Sequence, residues 1–121
     1  MASRSYVPDA GDVAWLEFDP QAGQEQAGQR PALVVSPASY NGKTGLMVCC
    51  PMSTKIKGHP FEVVTEVDSV ASAVLSDQVK SLDWKVHHAK KNGTVPRAVM
   101  THVRAMIKAL LVIESPACRR A

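Results

Sequence analysis

The hydrophobic period changes once along this chain, and that change limits the fold class. The first two thirds consist of short apolar runs cut by proline and glycine. Asp12-Val13-Ala14-Trp15-Leu16-Glu17-Phe18 stops at Asp19-Pro20, and Ala32-Leu33-Val34-Val35 leads into Ser36-Pro37. Asn41-Gly42 is a turn signal, and Gly45 to Cys50 runs up to Pro51. Phe61-Glu62-Val63-Val64-Thr65 alternates as a half-buried strand does, and Val70 to Leu75 is a further strand. Beyond them Val99, Val103, Met106, Ile107 and Leu110 recur at the spacing of one helical face. Thr94 would be the N-cap of that helix, with Pro96 inside its first turn. Leu111-Val112-Ile113 would close the fold as a last strand. Short strands at this spacing followed by one helix predict a mainly β chain with a C-terminal α-helix, curled into a small barrel or a strongly bent sheet.

The length of 121 residues sets one domain, with a core over about residues 6–113 and a tail over 114–121. No apolar run reaches the ~18 residues of a membrane span, and nothing near the N-terminus reads as an export signal. The expected compartment is therefore the cytoplasm. Cys49, Cys50 and Cys118 make neither a C-x-x-C pair nor a Cys/His ligand spacing. No metal and no cofactor is expected, and Cys49 and Cys50 read as small buried hydrophobes of a strand.

Charge is unevenly spread. Five acidic residues and one basic residue lie between Met1 and Glu25, whereas Trp84 to Ile113 holds Lys85, Lys90, Lys91, Arg97, Arg104 and Lys108 with no acidic residue. That asymmetry suits an anionic partner. Two polar connections are long for so small a chain, Asp19 to Gln29 and Met52 to Pro60, and long polar loops in compact domains often carry function.

Several segments then match a known family in order. They are Pro8-Asp9 with Gly11-Asp12-Val13 and Phe18-Asp19-Pro20; the stretch Gly23 to Ser36, in which Glu25-Gln26 precedes Arg30-Pro31; Lys57 to Val63; and Asp77 to Trp84. Together they resemble the MazF/PemK toxins over roughly Tyr6 to Ile113. The resemblance implies a small SH3-like β-barrel working as a homodimer. It also implies metal-independent, sequence-specific cleavage of single-stranded mRNA, and neutralisation by an antitoxin with an acidic tail. Fold relatives include gyrase poisons, so the barrel alone would not decide the activity. Those relatives end in Trp-Gly-Ile, whereas this chain ends Ala117-Cys118-Arg119-Arg120-Ala121.

By the resemblance, Arg30 is the catalytic arginine, stabilising a phosphorane with its guanidinium fork, and Glu25 is a proton acceptor or an orienting group. Ser53 stands where the family has threonine, with Thr54 as the alternative hydroxyl. Gln24, Gln26 and Gln78 would read unpaired bases, Lys55, Lys57 and Lys80 would hold phosphates, and Phe18 would stack on a base. Trp15 and Trp84 read as core. A histidine mechanism is the other metal-free route. His87 and His88 are adjacent and expected to point apart, His102 is expected to be exposed on the helix, and His59 is the histidine best placed for such chemistry.

Overall fold

The computed structural model describes residues 6–18 and 28–113. Its elements are β1 (Asp12–Phe18), β2 (Gly28–Val34), α1 (Ala38–Thr44), β3 (Leu46–Ser53), β4 (Glu62–Val67), β5 (Val70–Leu75), β6 (Lys80–Asp83), β7 (Lys90–Thr94) and α2 (Arg97–Leu110). All pairings are antiparallel, in the order β4-β5-β3-β2-β1-β7, with β6 joined to β3. The sheet curls into a half-barrel. It is mainly β with a C-terminal helix, as the change of period predicts.

Alternation along β1, β2 and β3 sends successive side chains to opposite faces, and each face has its own core. Val13, Leu33, Cys50, Met52, Val63 and Val74 meet Met100 and Val103 of α2 on one side. Ala14, Leu16, Ala32, Val34, Met47 and Cys49 meet Trp84 on the other. The adjacent Cys49 and Cys50 therefore belong to different interiors, and both are fully buried. Burial pushes the Cys49 thiol up to about 11, slightly relieved by Lys80. It pushes Cys50 up to about 12, with Cys49 and Asp77 adding to the effect.

β3 changes partners along its length. Leu46–Cys49 pair with β6, Cys49–Pro51 with β2, and Met52–Ser53 with β5. Sequence places a strand end at Pro51, yet the strand continues through it.

Other expectations are corrected. Asn41-Gly42 lies inside α1 and makes no hairpin turn. Asn41 is fully buried; its amide donates to the carbonyls of Pro8 (2.7 Å) and Ser36 (3.0 Å), and its oxygen accepts from Ser36 Oγ (2.6 Å). Its main-chain carbonyl accepts from Trp84 Nε1 (2.9 Å) and from the N–H of Gly45. The turn falls at Gly45, where φ of 77° suits a residue without a Cβ. Thr94 does not cap α2: it ends β7 opposite Asp12, and Pro96, which has no N–H to satisfy, occupies the N-cap. Leu111-Val112-Ile113 is not a strand. The N–H groups of Val112 and Ile113 turn back to the carbonyls of Ala109 and Lys108, closing the helix with Val112 at φ 56°. α1, β6 and the polar β7 went unread. Trp84 is buried, but Trp15 is only half-buried and lines a cleft.

Two expectations follow. Asn41→Ala strands several buried polar groups at once and should cost about 3 kcal/mol; urea unfolding within 1 kcal/mol of the parent, by the same order-of-magnitude reckoning, would deny the residue this weight. The cysteine thiols bind protons more tightly folded than unfolded, so their contribution is complete below the ordinary thiol value of 9.0 and lost as pH rises toward about 12. Iodoacetamide at pH 8 should leave Cys49 and Cys50 unmodified in the folded chain, and the urea midpoint of the native protein should fall more steeply above pH 9 than that of a Cys49→Ala/Cys50→Ala variant.

Candidate active site

β2 runs from solvent into the core: Gly28, Gln29 and Arg30 are exposed, Pro31 is half-buried, and Ala32, Leu33 and Val34 are buried. Arg30 thus stands at the rim, directly opposite Leu16 of β1 and before the Pro31 that faces Trp15. The β2–β3 register pairs Ala32 with Pro51 and Leu33 with Cys50. Carried two residues further, it sets Arg30 opposite Ser53, the last residue of β3. By the same alternation both belong to the face of the Trp84 core.

Ser53 Oγ accepts from the N–H of Lys55 (3.0 Å), a local turn that occupies one lone pair and leaves the hydroxyl hydrogen to point elsewhere. Thr54 is exposed and lines a different feature, a cleft of about 210 Å³ with Trp15, Pro31, Met52, Asp68, Ser72 and Asn92. Those strand residues belong to the α2 side of the sheet. The register extended in this way favours Ser53 over Thr54 as the neighbour of Arg30.

Lys55 and Lys57 are exposed on the loop after β3. Its course is fixed by Glu62, whose carboxylate accepts from the N–H groups of Lys57 (3.1 Å) and Gly58 (2.8 Å). In the sequence Glu62 belongs to a half-buried strand and to the Lys57 to Val63 match, and a carboxylate a few residues after a glycine is the signal for this loop-fixing role. Lys80 opens β6 opposite Cys49, on the Arg30 face. Gln78 is exposed in the 3-10 turn Ser76–Gln78 just before it. Gln24, Glu25 and Gln26 lie outside the described residues. Phe18 is half-buried, packed on the Trp84 core and against the His87 ring at 4.7 Å between centroids.

The histidines differ from expectation in one respect. His59 and His102 are exposed, and the His59 carbonyl accepts from the Glu62 N–H. His87 and His88 do not point apart, because His88 takes a left-handed backbone (φ 49°) that turns both rings to Glu17. His87 Nδ1 donates to the Glu17 carbonyl (2.9 Å) and His88 Nδ1 to the Glu17 carboxylate (3.1 Å).

The basic C-terminal third does not gather into one groove. Arg97 and Arg104 line a shallow depression of about 270 Å³ with Gly11 and Met100, on the helix side of the sheet. Lys91 lies 3.8 Å from Asp12. Lys80, opposite Cys49, and Lys85, over the Trp84 ring, lie on the Arg30 face, while Lys55 and Lys57 are exposed on the loop that follows Ser53. Among the described residues, no group of three or more His, Cys, Asp or Glu side chains could hold a metal ion. None of the described helices is long and apolar enough to cross a membrane.

Known proteins share this framework. The chain is 49% identical over 111 residues to the endoribonuclease toxin MazF of Escherichia coli, covering 92% of this chain and 99% of that protein. It is 29% identical over 108 residues to the endoribonuclease PemK of Escherichia coli. The fold superposes on the toxin of a MazE-MazF crystal structure from Deinococcus radiodurans with a TM-score of 0.84 and 49% identity, covering 91% of this chain and all of that one. A family model matches residues 9–111, and the chain belongs to the PemK-like, MazF-like toxins of type II toxin-antitoxin systems.

Proposed function

We propose that the chain is a toxin made of one domain, a sequence-specific endoribonuclease that cuts single-stranded mRNA without a metal. The observation that carries this reading is the chain's 49% identity to an endoribonuclease over nearly its whole length, and the β2–β3 register, extended two residues past Ala32–Pro51, supports it by bringing Arg30 toward Ser53. RNA supplies its own nucleophile. The 2′-OH attacks the adjacent phosphorus, the 2′-O–P bond forms, the P–O5′ bond breaks, and the products carry a 2′,3′-cyclic phosphate and a 5′-hydroxyl. Arg30 offers a planar fork to the phosphoryl oxygens as charge builds on them. Ser53 donates the hydroxyl hydrogen that its turn with Lys55 leaves uncommitted. Thr54, turned toward the Trp15 cleft, is the poorer candidate for that task. Glu25 is assigned to accept the 2′-OH proton, and Arg30 to give a proton to the departing 5′-oxygen so that it leaves as the 5′-hydroxyl. Lys55, Lys57 and Lys80 hold flanking phosphates, while Gln24, Gln26, Gln78 and Phe18 contact unpaired bases.

The partners follow from the same reading. An antitoxin with an acidic tail lies over the lysine-bearing face, and the toxin acts as a homodimer in the cytoplasm. That the toxin of the Deinococcus structure was solved with MazE supports the first of these.

Purified protein incubated with a long single-stranded RNA in EDTA should leave fragments with 5′-hydroxyl ends. Arg30→Ala and Ser53→Ala should each lower kcat by about 10²-fold, the weight of one preorganised donor, while Ser53→Thr keeps the rate. Loss of cutting on chelation would sink the metal-free mechanism, and a greater loss in Thr54→Ala than in Ser53→Ala would reverse the hydroxyl assignment. An acidic antitoxin peptide should bind more weakly as salt rises, since the screening length falls to ~10 Å near 0.1 M. Affinity indifferent to salt would make that contact chiefly apolar.

A further inference from the structure

The turn between β6 and β7 is knit more closely than a plain connection needs. Asp83 Oδ1 accepts from the N–H groups of Lys85 and Val86, both at 3.0 Å, and the Asp83 carbonyl accepts from His87 N–H. The N–H of Ala89 returns to the carbonyl of Trp84 (3.0 Å), and Trp84 is itself anchored to Asn41. This turn then grips the end of β1 at several points. Glu17 N–H donates to the His87 carbonyl (2.8 Å), His87 Nδ1 donates back to the Glu17 carbonyl, His88 reaches the Glu17 carboxylate, and the His87 ring lies on Phe18. A carbonyl can only accept, so Nδ1 carries the hydrogen and the orientation of the ring is fixed. His88 holds a left-handed conformation to complete the grip, which is uncommon for a residue with a side chain.

What is gripped is the strand end on which the cutting rim is laid. Glu17 is opposite Gln29, Phe18 is opposite Gly28, and Leu16 is opposite Arg30. Arg30 is exposed, and no acidic partner lies within ion-pair distance of it among the described residues. The backbone that bears it is the mate of the gripped segment, so what fixes that segment bears on its aim. We propose that His87 is a positioning residue for Arg30, acting through the Nδ1 hydrogen bond that fixes the Glu17–Phe18 end of β1. The link to turnover rests on the ribonuclease reading above; the mechanical part does not.

Three substitutions separate the ways in which His87 could act. In His87→Asn the amide nitrogen stands where Nδ1 stands and can donate to Glu17. In His87→Gln the amide reaches the Nε2 position instead, and His87→Phe keeps the ring on Phe18 but donates nothing. With an RNA oligonucleotide spanning a mapped cleavage site, Asn should keep kcat within about threefold, while Gln and Phe lower it about tenfold at an unchanged KM, as a small misplacement of a reacting group does. Hydrogen–deuterium exchange without RNA should show faster exchange over residues 16–18 and 28–30 in Gln and Phe, but not in Asn, with α2 and β4–β5 unchanged. Retention in Gln with loss in Asn would mean that Nε2 works on the RNA itself, and would overturn the proposal. So would equal kcat in all three variants, or exchange that none of them alters. Should the parent protein leave RNA intact, the ribonuclease reading fails, and the exchange pattern still decides whether His87 fixes this rim.

Discussion

Asn41 ties together three parts of the chain that are distant in sequence. Its side chain joins the Pro8 segment to the end of β2, and its carbonyl receives the indole of Trp84. Ser36 completes the knot by donating to Asn41 and accepting from the N–H of Val48 in β3. Hydrogen bonds among buried groups are individually modest, but leaving one unmade in a dry interior is expensive. The knot also seats the Trp84 core, because Trp84 forms one wall of it. The turn that grips β1 starts from the same tryptophan, so the placement of Arg30 traces back to α1 through Asn41 and Trp84.

Sheet and helix divide the remaining work. The α2 side is an ordinary apolar interior, with Met100 and Val103 laid over β-strand residues. At the start of β1, Asp12 is buried and bound by Tyr6 Oη at 2.6 Å and by Lys91 at 3.8 Å. Burial, with the Asp12 carboxylate beside it, pushes the Tyr6 hydroxyl well above its ordinary value and keeps it a donor. One end of β1 is thus pinned by a carboxylate and the other by histidines.

Much of this was legible in the sequence, and the reason differs from element to element. Val70–Leu75 could be read as a short apolar run, and the helical face of Val99 to Leu110 because packing on the sheet imposes a period on it. β7, Lys-Lys-Asn-Gly-Thr, could not, because it lies at the end of the strand order and owes its strand form to pairing with β1. Asn41-Gly42 misled because a turn signal reports local preference, whereas this asparagine is spent on contacts reaching back to Pro8. The rim was half visible. A family resemblance points to Arg30 and Ser53, and the register of β2 against β3, extended past Pro51, favours Ser53 over Thr54. His87 carried no sequence signal beyond its neighbour, since its partner is a main-chain carbonyl seventy residues away.

The adjacent cysteines mark the plane between two interiors, and no strand residue on that plane serves both. Residues lining the helix-side interior can drift together without disturbing those under Trp84, and the reverse holds as well. Arg30 and Ser53 border only one of the two. A lineage of such proteins could therefore remodel α2 and the surfaces it presents while the rim that carries Arg30 stays as it was. The sheet that builds the rim also insulates it from the history of the helix behind it.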